Sequence, residues 1–266
     1  MRQRVFAAVI ILALASASAV VIEAITNGRP DGNAHPYVGL LVFDDAPGEP
    51  AWSCSGTLIS PTVVLTAGHC TEGAVAARIW FASTLVGNPD YPGGGPSAIE
   101  GTANTYPDFC IGCDPGLMGF DAWDIGIVVL DTPVTGITPA QLPEAGVTET
   151  LAMGTAIDVV GYGVQAKQVG GGPPQWTWNG QRYYAPTQLV ASEQKNAELF
   201  IKLTANPGRG KGGICFGDSG GPDLLGGTAT ILAVNSFVTN GNCSGVTYSQ
   251  RVDLDPVLEW IGTFLQ

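Results

Sequence analysis

Three short stretches of the chain carry residue types that together could activate a hydroxyl nucleophile. A histidine, His69, follows the apolar run Val63–Thr66 and stands directly before a cysteine. An aspartate, Asp124, opens a second apolar run, and a serine, Ser219, lies within the glycine-rich stretch Gly217–Pro222. A serine hydroxyl is a weak nucleophile until a neighbouring base takes its proton, and a histidine held by a carboxylate is such a base. Small residues around the serine would expose its hydroxyl and let backbone N–H groups converge.

Each of these segments also has an ordinary structural interpretation when it is taken alone. A single histidine is usually a surface or core group, and the chain has only two, His35 and His69. Asp124 could be a surface turn residue, although a buried carboxylate would need a partner. The stretch Gly217–Pro222 could be a plain glycine turn. We assign His35 no catalytic role.

The composition limits both the fold and the partners. The chain has 266 residues, of which 37 are glycine and 19 are proline, too many helix breakers for a mainly helical protein. Short β-rich runs separated by turn residues favour an antiparallel all-β sandwich or barrel. The formal net charge is −12, which argues against nucleic-acid binding and against a polybasic membrane footprint.

The amino-terminal residues have the pattern of a secretory signal. Two arginines precede an apolar run that reaches about Ile22, and Ala17-Ser18-Ala19 is a small-x-small cleavage site. Ala24 offers a second site. We therefore expect a signal peptide over 1–24, or a signal over 1–19 with a propeptide over 20–24. The alternative is an uncleaved membrane anchor, since the run approaches the length that spans a bilayer.

Six cysteines fit an exported, disulfide-bonded chain. Six can pair in 15 ways, and their number alone does not select one. Cys110 and Cys113 have the spacing of redox and zinc sites, but no histidine and no second such pair lies nearby, which favours a loop disulfide. The others are Cys54, Cys70, Cys215 and Cys243.

The segments Thr66–Cys70 and Gly217–Pro222 resemble the two signature segments of the chymotrypsin-like (trypsin-like) serine peptidases. The three candidate residues follow the family's order of His, Asp and Ser, at separations of the usual size, and the resemblance extends from Ile25 to about Ile261. The stretch Gly210–Phe216 is similar to microbial members.

The resemblance implies an all-β fold of two packed six-stranded antiparallel β-barrels with a C-terminal helix. The expected divisions are 25–135 for the first barrel, 136–252 for the second and 253–266 for the helix. The helix's apolar stripe would pack on the barrels, or otherwise offer a partner surface.

The resemblance also implies the roles of individual residues. Ser219 would be the nucleophile, His69 its base and Asp124 the carboxylate that orients the imidazole. The backbone N–H groups of Gly217 and Ser219 would form the oxyanion hole. Ser236 would lie against the catalytic carboxylate. The substrate would pair as an added strand with the backbone of Ser236, Phe237 and Val238.

Two disulfides and an activation pair follow from the same resemblance. Cys54–Cys70 would brace the histidine loop and Cys215–Cys243 the substrate pocket, which leaves Cys110–Cys113 by remainder. Ile25 resembles the family's mature amino terminus, whose freed amine pairs with the carboxylate beside the nucleophile, here Asp218. We therefore expect cleavage after Ala24 to be required for activity.

The resemblance also places Gly213, six residues before Ser219, at the floor of the main specificity pocket, where glycine brings no carboxylate. Val238 would narrow that pocket, so small or medium apolar residues are the expected preference before the scissile bond, with larger aromatics next.

The sequence therefore predicts a secreted, monomeric serine endopeptidase that acts on proteins or peptides without a metal or other cofactor. An activating protease or a protein inhibitor would be its further partners. The alternative is a protease homologue that serves as a binding module. An α/β-hydrolase esterase is disfavoured because no histidine follows Ser219.

Overall fold

The fold is known from a computed structural model that describes residues 25–114, 117, 119–167, 175–191 and 198–265. The expected signal peptide over 1–24, with both candidate cleavage sites, lies outside the described residues. Within them, no helix has the length and apolar character needed to cross a membrane.

The first barrel is closed by six antiparallel strands in the order β2-β3-β4-β7-β6-β5. Its apolar core comes from alternating positions of these strands, as in Leu40, Val42, Val64 and Ile127, which are at most 2% exposed. Between β4 and β5 lies a single helical turn, α1 (Gly68–Thr71). The strands are β2 (Val38–Ala46), β3 (Glu49–Ser60), β4 (Val63–Thr66), β5 (Ala76–Trp80), β6 (Ile99–Thr105) and β7 (Gly126–Leu130).

The second barrel is closed in the order β8-β11-β12-β15-β14-β13, with β13 returning to β8. A short amino-terminal strand, β1 (Arg29–Pro30), adds to β11, and β9 (Gln165–Lys167) pairs with β10 (Gln175–Thr177) as a separate hairpin. The prediction of two six-stranded antiparallel barrels is confirmed. The barrel strands are β8 (Ala156–Gly161), β11 (Tyr183–Ala191), β12 (Phe200–Ala205), β13 (Pro222–Leu225), β14 (Ile231–Val238) and β15 (Gly245–Arg251).

The chain ends in helix α2 (Asp255–Gly262). Val257 and Ile261 are fully buried and belong to the same hydrophobic cluster as the core of the first barrel. The centre of the apolar stripe thus packs on the first barrel, as expected for a docked terminal helix. Two 3-10 turns, Val147–Thr150 and Pro207–Arg209, complete the elements.

A buried arginine joins the two barrels. Arg182 is 0% exposed, and its guanidinium donates to Asp31 at 2.8 Å and to the carbonyl of Val38 in β2 at 2.7 Å. It also donates to the hydroxyl of Tyr162 at 3.1 Å. The arginine holds the pKa of Asp31 at about 2, together with a hydrogen bond from His35 and against the opposing effect of burial. This network sets how the barrels face each other, and therefore the shape of the cleft between them.

Candidate active site

His69 lies on the single turn α1, immediately after β4 ends. The disulfide Cys54–Cys70 joins this turn to β3. Nδ1 of His69 lies 2.8 Å from a carboxylate oxygen of Asp124, and the backbone N–H of His69 donates to the other oxygen, also at 2.8 Å. With Nδ1 so engaged, the second ring nitrogen, Nε2, is the one available to a reacting group.

Asp124 is fully buried where β7 begins. Besides the two groups of His69, the hydroxyl of Ser236 donates to its carboxylate, and its own backbone N–H donates to Gln250 at 3.1 Å. Burial raises the pKa of Asp124, but the charge and hydrogen bonds of His69 and the Ser236 hydroxyl outweigh burial and hold that pKa below its usual value. Burial lowers the pKa of His69, and the Asp124 charge outweighs this, so that the His69 pKa lies above its usual value. The pair therefore stabilises the imidazolium that forms when Nε2 takes up a proton.

The nucleophile segment is a tight glycine turn pressed against the first barrel. Gly217 has φ +91°, and a Cβ on Gly220, at φ +80°, would lie 2.0 Å from the hydroxyl of Thr66, so neither position accepts another residue without a shift. Ser55 of β3 holds the turn, donating its N–H to the carbonyl of Ser219 at 2.8 Å and its hydroxyl to the carbonyl of Gly217 at 3.1 Å. The first barrel thus fixes the backbone on both sides of Asp218.

Ser219 and His69 line one open cavity of about 440 Å³. The Ser219 hydroxyl makes no hydrogen bond to His69 or to any other described residue. Such bonds are often long in unliganded enzymes and tighten only when substrate is bound. The backbone N–H groups of Gly217 and Ser219 also donate to no other described residue. The remaining lining residues are Trp52, Ser53, Cys54 and Glu72.

Asp218 is a second fully buried carboxylate, and it points away from this cavity. It accepts the backbone N–H groups of Gly163 and Cys215, each at 2.8 Å, and that of the fully buried Ile25. Burial raises the pKa of Asp218 to about 7 in spite of these three donors. The structure thus brings the expected activation pair together.

The expected substrate-binding residues lie on the second barrel. Gly213 pairs with Thr26 through two backbone hydrogen bonds, and a Cβ built on it would lie 2.3 Å from Ala205 and 3.6 Å from Thr247. Val238 pairs with Thr247 across β14 and β15. The pairing of β14 with β13 ends at Val234, so the edge of 236–238 beyond it is not covered by β13.

Phe237 belongs to an aromatic cluster. Its ring stacks on Phe120 at 3.8 Å and on Tyr248 at 5.3 Å. Phe120 comes from the loop that carries the disulfide Cys110–Cys113. Cys54–Cys70 and Cys215–Cys243, the two disulfides that the resemblance implies, are both present, and Cys110–Cys113 is the pair expected by remainder.

Several residues around the site were not found from the sequence. Ser55, Thr247 and Gln250 are strand residues whose partners are far away along the chain, and their types carry no signal of their own. Asp223 is also fully buried, in the interior of the second barrel. A signal for it existed, because it is an acidic residue one position after the Gly217–Pro222 stretch, at the start of an otherwise apolar strand.

One cluster has ligand types that could suit a metal. The sulfur atoms of Cys54 and Cys70 and a ring nitrogen of His69 lie within 4.8 Å of one another. The two sulfurs share a disulfide bond, so neither is available as a thiolate. The cluster therefore fits a braced histidine better than a metal centre.

Comparison with known proteins assigns the family. The family model described as Trypsin matches residues 25–261. Serine protease 1 of Drosophila melanogaster is 25% identical over 251 residues, covering 89% of this chain and 84% of the relative. Beta-fibrinogenase mucrofibrase-1 of Protobothrops mucrosquamatus is 28% identical over 236 residues, covering 84% and 80%. Trypsin of Saccharopolyspora erythraea is 28% identical over 210 residues, covering 74% and 81%.

Solved structures share the fold. HL collagenase superposes with a TM-score of 0.65 at 20% identity, over 92% of this chain and 96% of the other. Human heparin binding protein gives a TM-score of 0.62 at 20% identity, over 90% and 95%. Since the family model spans nearly the whole described chain, this protein belongs to the trypsin family of serine proteases, and it is a hydrolase.

Proposed function

We propose that this chain is a secreted serine endopeptidase in which Ser219, His69 and Asp124 form the catalytic triad. The observation that carries the proposal is the coupling of a buried, ionised Asp124 to Nδ1 of His69 at 2.8 Å, beside a cavity that also contains Ser219. An imidazole held in this way presents Nε2 to the serine hydroxyl as a base.

The reaction proceeds in two halves. Nε2 of His69 takes the proton of Ser219 as its oxygen attacks the scissile carbonyl carbon, and the imidazolium then gives that proton to the leaving amine. The backbone N–H groups of Gly217 and Ser219 donate to the oxyanion. A water molecule, deprotonated by the same nitrogen, hydrolyses the acyl-enzyme and frees Ser219. Asp124 stays ionised and stabilises the imidazolium throughout.

A fluorophosphonate probe tests the nucleophile directly. The intact mass of a chain that begins at Ile25 should increase by one adduct, mapped to Ser219, and Ser219→Ala should abolish both the adduct and peptide hydrolysis. A folded wild-type chain that takes no adduct would instead favour the alternative, a protease homologue that binds a partner. The presence of all three triad residues favours the enzyme.

Small or medium apolar residues are the proposed preference before the scissile bond, with larger aromatics next. Gly213 brings no carboxylate to the pocket, and Val238 narrows it beside Thr247. Val238→Gly should open the slot and increase the ratio of kcat/KM for a Phe substrate over an Ala substrate by about tenfold. Efficient cleavage confined to Lys and Arg substrates would contradict this preference.

Activation is proposed to depend on a free amine at Ile25. The carboxylate of Asp218 lacks a cationic partner among the described residues, and burial raises its pKa to about 7. An ammonium group at Ile25 would supply the missing charge and stabilise the turn that holds Gly217 and Ser219. A chain that begins at Val20 should therefore take little of the probe, while one that begins at Ile25 takes it fully.

A further inference from the structure

The cavity at Ser219 extends over the first barrel, on the side opposite the proposed substrate strand. Its lining consists of Ser219 and five first-barrel residues, whereas the edge of 236–238 belongs to the second barrel. If the acyl part of a substrate lies along that edge, the residue after the scissile bond must lie in this cavity. This inference rests on the proposed function and deepens it.

Among the described residues that line the cavity, Glu72 is the only one with a carboxylate. Its backbone N–H closes the turn α1 by donating to Gly68 at 2.9 Å, two residues after the disulfide-bonded Cys70. The backbone of Glu72 is therefore held rigidly beside His69. Its side chain is exposed and makes no ion pair with any of the residues that the structure describes. A carboxylate placed in this way is free to pair with a substrate.

Trp52 supplies an apolar wall of the same cavity. Its indole nitrogen donates to the carbonyl of Cys70 at 2.8 Å, and its ring stacks on Phe43 at a centroid distance of 6.0 Å. These contacts fix the orientation of the indole. A fixed aromatic face beside a carboxylate suits a long side chain with an apolar stem and a cationic end.

We propose that this cavity selects a basic residue, arginine above lysine, directly after the scissile bond, with Glu72 as the specificity-determining partner. A planar guanidinium can stack on the indole while it donates to the carboxylate, which an ammonium does less well. The net charge of −12 also attracts positively charged substrates to the protein.

Internally quenched peptides that differ only at the residue after the cleaved bond test the proposal. Arginine is compared with citrulline, its neutral near-isostere, and the cut position is confirmed by product masses. Wild-type kcat/KM should favour arginine by about threefold to tenfold, and 1 M NaCl should reduce that ratio.

Glu72→Gln should bring the arginine-to-citrulline ratio close to one, because the amide keeps the size of the side chain and removes its charge. Glu144→Gln removes an equal charge from an exposed residue in the segment that connects β7 to β8, and it should keep the wild-type ratio. If the enzyme cleaves both peptides, an arginine-to-citrulline ratio of one in the wild type would overturn this inference. A ratio that Glu72→Gln leaves unchanged would overturn it as well. Absence of both cleavage and fluorophosphonate labelling would overturn the proposed function instead.

Discussion

Asp124, beside the cleft, and Asp223, inside the second barrel, are both 0% exposed, yet their carboxyl groups are in opposite electrostatic situations. The Asp124 carboxylate accepts three hydrogen bonds and faces an imidazole, and its pKa is below the usual value. Burial raises the pKa of Asp223 to about 7, and the nearby Ser249 hydroxyl, which lies outside hydrogen-bonding geometry, offsets this only in part. Neither oxygen of Asp223 has a partner in hydrogen-bonding geometry among the described residues.

The comparison shows that burial alone does not decide what a carboxylate does. Desolvation disfavours the charge at both positions, and the donors supplied by neighbouring elements decide the outcome. Asp124 receives donors from α1 and β14, which come from different barrels. Asp223 lies inside the second barrel, where the buried hydroxyls of Thr247 and Ser249 likewise have no hydrogen-bond partner among the described residues. The first carboxyl group therefore acts as an ion, whereas the second stays a neutral acid up to about pH 7.

The largest expected difference between the two positions is in catalysis. Asp124→Asn should lower kcat/KM by about four orders of magnitude, because the amide cannot stabilise the imidazolium and favours the wrong imidazole tautomer. Asp223→Asn should leave kcat/KM within a fewfold of wild type. Hydrolysis of one neutral peptide by both variants measures this difference. A loss smaller than tenfold in Asp124→Asn would remove the basis for the triad.

Asp218 allows a comparison of one carboxylate in two covalent forms of the chain. In an inactive Ser219→Ala chain that begins at Ile25, Asp218→Asn should lower the unfolding free energy by about 3–5 kcal/mol, because the α-ammonium group of Ile25 loses its partner. In the form that begins at Val20, the same substitution should be neutral or stabilising at pH 8, since it removes an unpaired buried charge. Urea unfolding of the four proteins measures both effects. The same sign in both forms would exclude the proposed amine–carboxylate pair.

Asp223 should make the protein less stable as the pH rises. Its folded-state pKa of about 7 is above the usual value of 3.8, so the folded state binds more protons than the unfolded state between those values. This contribution to the unfolding free energy is fully present below about pH 4 and is lost as the pH rises to about 7, by at most about 4 kcal/mol.

Asp223→Asn should flatten that pH dependence and increase stability at pH 8 by about 2–4 kcal/mol. Urea unfolding at pH 5 and pH 8, again in the Ser219→Ala background starting at Ile25, gives the slope for each protein. An unchanged slope would mean that the carboxyl group of Asp223 finds a compensating partner in solution.

These contrasts also mark what could be predicted from the sequence. Short β-rich runs and turn residues predict an antiparallel all-β protein, and the family resemblance adds the arrangement in two barrels. The segments at His69 and Ser219 are local patterns of that family. Asp124 has no distinctive neighbours, and its assignment depended on order and spacing. Its surroundings could not be predicted, because Ser236 and Gln250 approach it from 112 and 126 residues away.

Strand register decides which distant side chains meet, and local patterns do not determine register. The pairing of β14 with β15 shifts between Asn235 and Phe237, and this irregularity coincides with Ser236, whose hydroxyl reaches Asp124. Arg182 and Asp31 form a buried pair at 151 residues of separation by the same kind of tertiary pairing. The identity of the strands was accessible from the sequence, whereas the hydrogen-bond partners of the buried charges were not.

The smallest expected effect concerns two buried hydroxyls, one beside each carboxylate. Ser236→Ala removes a donor from Asp124 but leaves the two donors of His69, so we expect kcat to fall by about tenfold with little change in KM. Ser249→Ala is the matched control, because its hydroxyl faces Asp223 and should leave kcat unchanged. Ser236→Thr, which keeps a hydroxyl, should recover part of the loss.

Because Ser236 acts through Asp124 and His69, its removal should also shift the acidic limb of the pH profile of kcat/KM, a shift that Ser249→Ala should not produce. Equal effects of the two alanine variants would show that loss of packing, rather than support of the Asp124 charge, explains the contribution of Ser236.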